Sequence, residues 1–142
     1  MRPDKSPRLG SESDVDDNSD DTVLVAVRDQ LLQDALGECL PLAHVDGVMA
    51  RACPDEQLST QQEFLLRAVR SLLDDRLIVV GDIVGGSDER VERWDLTIED
   101  VIARIHDRYV DNYDNQIWSF NTWVALTERG ERLAKGIRKQ PD

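Results

Sequence analysis

Apolar residues recur at three- and four-residue steps from Thr22 to Glu38, where Val23, Leu24, Val27, Leu31, Leu32, Ala35 and Leu36 mark one buried helical face. Asp20 and Asp21 suit the positive start of that helix and Gly37 suits its end. Val45, Val48, Met49 and Ala52 line a short second helix that stops before Pro54. Phe64, Leu65, Ala68, Val69, Leu72 and Leu73 form a third stripe, predicting a helix over 60–75 with Ser59 and Gln62, or Thr60 and Glu63, as a capping box. The β-branched run LIVV (77–80), the pair Gly85-Gly86 and Val91 to Trp94 then predict a two-stranded ribbon.

Thr97, with Asp100 three positions on, opens a further helix whose face carries Ile98, Val101, Ile102, Ile105, Tyr109 and Val110. Beyond the polar stretch DNYDNQ, Trp118, Phe120, Val124 and Leu126 alternate with Ser119, Asn121, Trp123 and Ala125. That period of two predicts a strand with Trp118 on its core face and Trp123 on the other. ERGERLAKGIRK reads as a short basic helix or a fraying end. The order of elements predicts an α+β fold.

A length of 142 residues suits one domain and a tail. Residues 1–21 hold six acids after Gly10 and little apolar surface to offset ordering entropy, so they are expected to be a disordered acidic tail ahead of a single domain over 22–142. Asp14, Asp16 and Asn18 fall at the alternate spacing of a calcium loop, but Ser19 stands where that loop needs glycine and Val25 where it needs its last glutamate. A solvated tail accounts for the acids.

Two stretches resemble winged-helix proteins of the bacterial regulator type. QQEFLLRAVRSLLDDRLIVVGDI (61–83) is similar to a recognition helix followed by the first wing strand, and WVALTERGERLA (123–134) to the "LTxxGxxLA" passage from last strand to final helix. The resemblance implies a winged-helix-like fold with an extra helix inserted between wing and last strand. Arg76 occupies the position after the helix where the pattern carries glycine.

Charge then decides between partners. The chain carries 17 basic and 29 acidic side chains, a net of −12, and residues 22–142 alone carry 14 bases against 22 acids. Such a balance repels phosphate and favours a basic protein. If the 60–75 helix read DNA, Gln61, Gln62, Arg67 and Arg70, with Arg90 and Arg93 on the ribbon, would be its contacts. That helix is neutral through Arg76, however, and residues 77–96 have a net charge of −3 where a phosphate backbone would lie.

The sequence therefore favours a non-enzymatic module that binds a basic protein, of immunity, antitoxin or adaptor type, over a DNA-binding regulator. The expected contacts are Asp82, Asp88, Glu89 and Glu92 on the ribbon, Asp111 and Asp114 in the polar loop, and an exposed aromatic anchor, Trp123 or Trp94. A homodimer is compatible with this reading.

Phosphate-loop, metalloprotease and nucleophile-elbow motifs are all missing from the sequence, so no catalytic role and no cofactor are expected. Cys39, His44, Cys53 and His106 follow no metal-site spacing, and the cysteines are expected as reduced, buried thiols. His106 is expected beside the apolar stripe of its helix, half buried. The opening MRPDKSPRLG lacks the apolar core of a signal peptide, and no run approaches the ~18 apolar residues of a membrane span, which points to the cytoplasm.

Overall fold

The computed structural model describes residues 9–139, with side chains described over 21–137. It is an α+β fold in which helices surround a small, unclosed antiparallel sheet. The chain runs through α1 (Leu9–Asp34), β1 (Leu40–Pro41), α2 (Leu42–Ala52), α3 (Leu58–Asp74), β2 (Ile78–Val84) and β3 (Arg90–Arg93). It continues through α4 (Ile98–Ile105), a π-helical turn (His106–Asp111), α5 (Trp118–Asn121), β4 (Trp123–Leu126) and α6 (Glu128–Lys139). The strand order is β1-β4-β2-β3.

Helix α1 begins at Leu9 rather than Thr22, so it includes the acidic residues Glu12 to Asp21 that the sequence assigns to the tail. No proline lies between Pro7 and Pro41 to interrupt that helix. Residues 1–8 of the expected tail, and the side chains at the calcium-like spacing, lie outside those described. Further along α1, Val27, Leu31, Leu32 and Ala35 are buried, as the periodicity requires. The helix ends where Gly37 takes φ +86°.

Helix α3 starts at Leu58, three residues after Asp55, with Gln57 as an N-cap that makes no side-chain bond. The expected capping box is not formed: Ser59 and Thr60 already lie in the first turn. Gln61 instead turns back, its Nε2 donating to the Cys53 carbonyl at 2.9 Å and so closing the α2–α3 connection. Phe64, Leu65, Ala68, Val69 and Leu72 meet Leu40, Ile78, Val80 and Val124 of the sheet in one core. Pro41 fits its edge strand because the ladder needs no donor from it: the Leu42 N–H to Thr122 carbonyl bond sets an alternation in which position 41 faces away from β4.

The end of α3 is a Schellman turn. Leu77 N–H donates to the Leu72 carbonyl at 2.9 Å, Arg76 N–H to the Leu73 carbonyl at 3.0 Å, and both Leu72 and Leu77 are buried. Arg76 sits at the left-handed position with φ 62°, so the backbone follows the glycine-type turn although the residue is arginine. Directly against it lies the start of α6. Thr127 N–H donates to the Leu77 carbonyl at 3.0 Å, and its hydroxyl donates to the Arg76 carbonyl at 2.7 Å and accepts from Gly130 N–H at 3.0 Å. A Cβ on Gly130 would stand 2.0 Å from the Leu77 oxygen.

Two expectations for the second half change. Thr97 does cap α4, accepting from Asp100 N–H at 3.1 Å, but the face continues through a π turn rather than to the end of a plain α-helix. The extra residue in that turn seats Tyr109 in the core, where its hydroxyl donates to Asp46 Oδ1 at 2.5 Å and its ring meets Trp118 edge-on. The strand expected over 117–127 is only Trp123–Leu126; residues 118–121 form the helical turn α5. Trp118 is buried as expected, its indole N–H donating to the Tyr113 carbonyl, whereas Phe120 is 66% exposed rather than on a core face. A helical turn separates these two side chains by about 200° instead of aligning them.

Among the described residues no helix is long and apolar enough to cross a membrane. Two substitutions test the α3–α6 joint. Gly130→Ala should destabilise the fold by about 2–4 kcal/mol, because the backbone must move away from Leu77. Arg76→Gly should stabilise it by about 0.5–1 kcal/mol by removing the left-handed strain. Urea unfolding followed by tryptophan fluorescence measures both.

Candidate protein-binding surface

The β2–β3 hairpin is built by residues that cannot be exchanged freely. Gly81 lies opposite Arg93, and a Cβ there would fall 1.9 Å from the Glu92 carbonyl, so the hairpin leans over its own strand only because position 81 has no side chain. Gly85 and Gly86, at φ +103° and +54°, turn the tip. Trp94 fastens the base. It is buried, its backbone N–H donates to the Val80 carbonyl and its indole N–H to Asp82 Oδ1 at 3.1 Å. The guanidinium groups of Arg104 and Arg108 stand 4.7 and 5.1 Å from its ring centre, binding the hairpin to α4 and the π turn. Trp94 is thus a structural anchor and not the exposed partner contact expected from sequence.

The acidic residues of the ribbon are exposed, and they are concentrated. Asp82 and Glu92 lie directly opposite each other across the strands, and Asp88 and Glu89 occupy the tip. Like charges in opposed positions cost about 0.2–1 kcal/mol, a local price that the sequence pays without an ion pair to Asp88, Glu89 or Glu92 among the described residues.

Between the hairpin tip, the α1–β1 turn and α6 opens a cleft of about 690 Å³. Val79, Val91 and Ala125 give it an apolar floor, and Glu38, Glu89 and Glu131 line its rim with the single cation Arg90. Among the described residues none of the three glutamates is ion-paired. Cys39 also lines the cleft, and burial and the nearby Glu89 push its thiol up from the ordinary value. Burial raises Cys53 likewise, and its thiol donates to the Met49 carbonyl. Both sulfurs are therefore held as thiols at neutral pH, poor nucleophiles and poor metal ligands.

The remaining expected contacts are elsewhere. Asp111 ends the π turn, its carboxylate 3.4 Å from His106 Nδ1, and Asp114 is exposed in the loop before α5, which packs on α2. His106 lies at that surface with half of its side chain accessible. Trp123 is half-buried on β4, its indole N–H donating to the Phe120 carbonyl at 2.8 Å. The structure does not gather the ribbon acids and the loop acids on one element. Sequence reasoning missed Glu38 and Glu131, which come to the cleft from helix-end positions that carry no pattern. It also missed the exposed pair Ile117 and Phe120, hidden inside an apparent strand.

Three of the six residues considered for DNA contact are engaged within the chain and three are exposed. Gln62 is buried with its amide directed at the Tyr109 carbonyl, Gln61 bonds to Cys53, and Arg70 forms a two-armed ion pair with Glu99 of α4. Helix α4 and the π turn thus pack against the side of α3 that carries Gln62 and Arg70. Arg67 is exposed above the Phe64 ring, and Arg90 and Arg93 are exposed on β3. His44 pairs with Asp34 at 2.8 Å, and no group of three or more His, Cys, Asp or Glu side chains suited to a metal ion occurs among the described residues.

Trp94→Ala should destabilise the protein by about 3–5 kcal/mol, a large shift in the urea midpoint. With the raised thiol pKa values, carbamidomethylation of native Cys39 by iodoacetamide should run well below the rate of free cysteine at neutral pH and rise only in alkali; mass spectrometry of timed samples reads it.

Compared with models of known families, with curated proteins and with solved structures, the chain finds no match in any of the three.

Proposed function

We propose that this protein is a non-enzymatic binding module whose hairpin cleft receives a basic segment of another protein. The observation that carries the reading is the cleft itself: three unpaired glutamates around an apolar floor. Lysine and arginine have that same division, an aliphatic stem below a cationic head, and would lay the stem on Val79, Val91 and Ala125 while the head meets Glu38, Glu89 or Glu131. Asp82, Asp88 and Glu92 extend the negative field along the hairpin and would steer such a partner in. An immunity, antitoxin or adaptor role, in which an acidic face covers a cationic one, fits this chemistry.

We read the succession of α2, α3, the hairpin, β4 and α6 as winged-helix-like, with α4 and α5 inserted before the last strand. In that reading the fold is used with its usual nucleic-acid polarity reversed. The net charge of −12 and the engagement of Gln62 and Arg70 support a protein partner over duplex DNA. The proposed setting is the cytoplasm.

Fluorescence anisotropy with a labelled peptide of alternating arginine and leucine, and with a labelled DNA duplex, tests this proposal. The peptide should bind with an affinity that falls steeply with added salt. Glu89→Lys or Glu131→Lys should weaken it about 10-fold each, roughly 1.4 kcal/mol, while Asp55→Lys on the α2–α3 loop should not. Salt-independent peptide binding, or tighter binding of the duplex than of the peptide, would overturn the proposal.

A further inference from the structure

A second cleft, of about 480 Å³, lies on another side of β2, between the end of α3, the Trp94–Leu96 segment and α4. We infer that it is a binding site for a small apolar anion, a carboxylate carried on a hydrocarbon or aromatic body. Its size falls within the ~300–1,000 Å³ of small-molecule sites. Leu73, Ile78, Leu96, Ile98 and Val101 supply an apolar lining.

Three features at the same place favour a negative head group. Arg76 and Arg93 both line the cleft, and neither has an ion-pair or side-chain hydrogen-bond partner among the described residues. Asp74 is the one acid in the lining, and it acts on Arg70, whose pKa it helps to raise. Two arginines without ion-pair partners among the described residues therefore border the cleft, beside one carboxylate that already has a cation nearby.

The backbone adds a donor. Leu77 and Thr127 are bonded across β2 and β4, and Trp94 N–H bonds to the Val80 carbonyl on the other side, so residues 78 and 80 direct their polar groups away from β4. After Trp94 the returning chain leaves the ladder for α4, so no strand pairs with β2 opposite Ile78 on that side. Its N–H points to the side where the cleft lies, as a carboxylate oxygen would require.

Arg76 is the most telling of the three. At φ 62° in the Schellman turn a glycine would sit without strain, and the arginine side chain makes no ion pair or hydrogen bond among the described residues that would offset it. A left-handed, non-glycine residue at the border of a cleft is a motivation for asking what the cleft holds.

Isothermal titration calorimetry of the full chain with octanoate and 2-naphthoate, and with octanol and octylamine as neutral and cationic matches, decides the matter. The carboxylates should bind saturably, at least tenfold more tightly than octanol, and octylamine should not bind. Arg93→Gln and Arg76→Gly should each weaken carboxylate binding about tenfold or more. Because Arg76→Gly relieves strain, its unfolding midpoint should rise while its ligand affinity falls, which separates lost recognition from lost fold. Val101→Phe, which fills the cleft, should abolish binding of both carboxylates. Equal affinity for octanol and octanoate, unchanged affinity in both arginine variants, or no saturable binding of either carboxylate would overturn the inference.

Discussion

The carbonyl of Leu77 is the point through which the fold is joined. It accepts the Thr127 N–H, lies against the bare Cα of Gly130, and belongs to the residue that closes the Schellman turn of α3. Three elements that are far apart in sequence, α3, β4 and α6, are fixed in register by that one peptide group and the Thr127 hydroxyl beside it. The register of β4 on β2 follows from it, and with it the placement of Ala125 and Val79 side by side on the floor of the acidic cleft. On the opposite flank of β2 the same joint leaves Arg76 at the edge of the second cleft.

Trp94 does for the hairpin what Thr127 does for the core. Its indole N–H binds Asp82 and its face is covered by two guanidinium groups, so the base of an otherwise highly charged ribbon is tied to the helical layer. This arrangement also uses cations that would otherwise screen the hairpin. Arg104 and Arg108 are held on the tryptophan face, Arg108 in addition by the Asn121 carbonyl, and Arg70 is held by Glu99. The internal engagement of these bases leaves the hairpin tip and cleft rim dominated by carboxylate, although the chain carries 17 basic residues.

Both clefts border β2 and differ in sign. One is ringed by Glu38, Glu89 and Glu131, the other by Arg76 and Arg93.

Local pattern determined most of the elements. The apolar stripes of α1, α2 and α3, the Gly85-Gly86 turn and the Thr97 cap all arise from neighbours within one or two turns, so periodicity and turn chemistry were enough to find them. The strand over 117–127 misled because Trp118 and Phe120 mimic a period of two. The aromatic packing of Trp118 on Tyr109 and Tyr113 outweighs that local preference and coils the segment instead. The acids of the ribbon were legible as charge, but Glu38 and Glu131 were not legible as their companions, since nothing nearby in sequence links them. Nor could sequence show that Gln62 is buried, that Trp94 is an anchor, or that Arg76 borders a cavity. Those facts depend on which surfaces face each other after packing, and only the assembled tertiary structure brings residues so distant along the chain within reach.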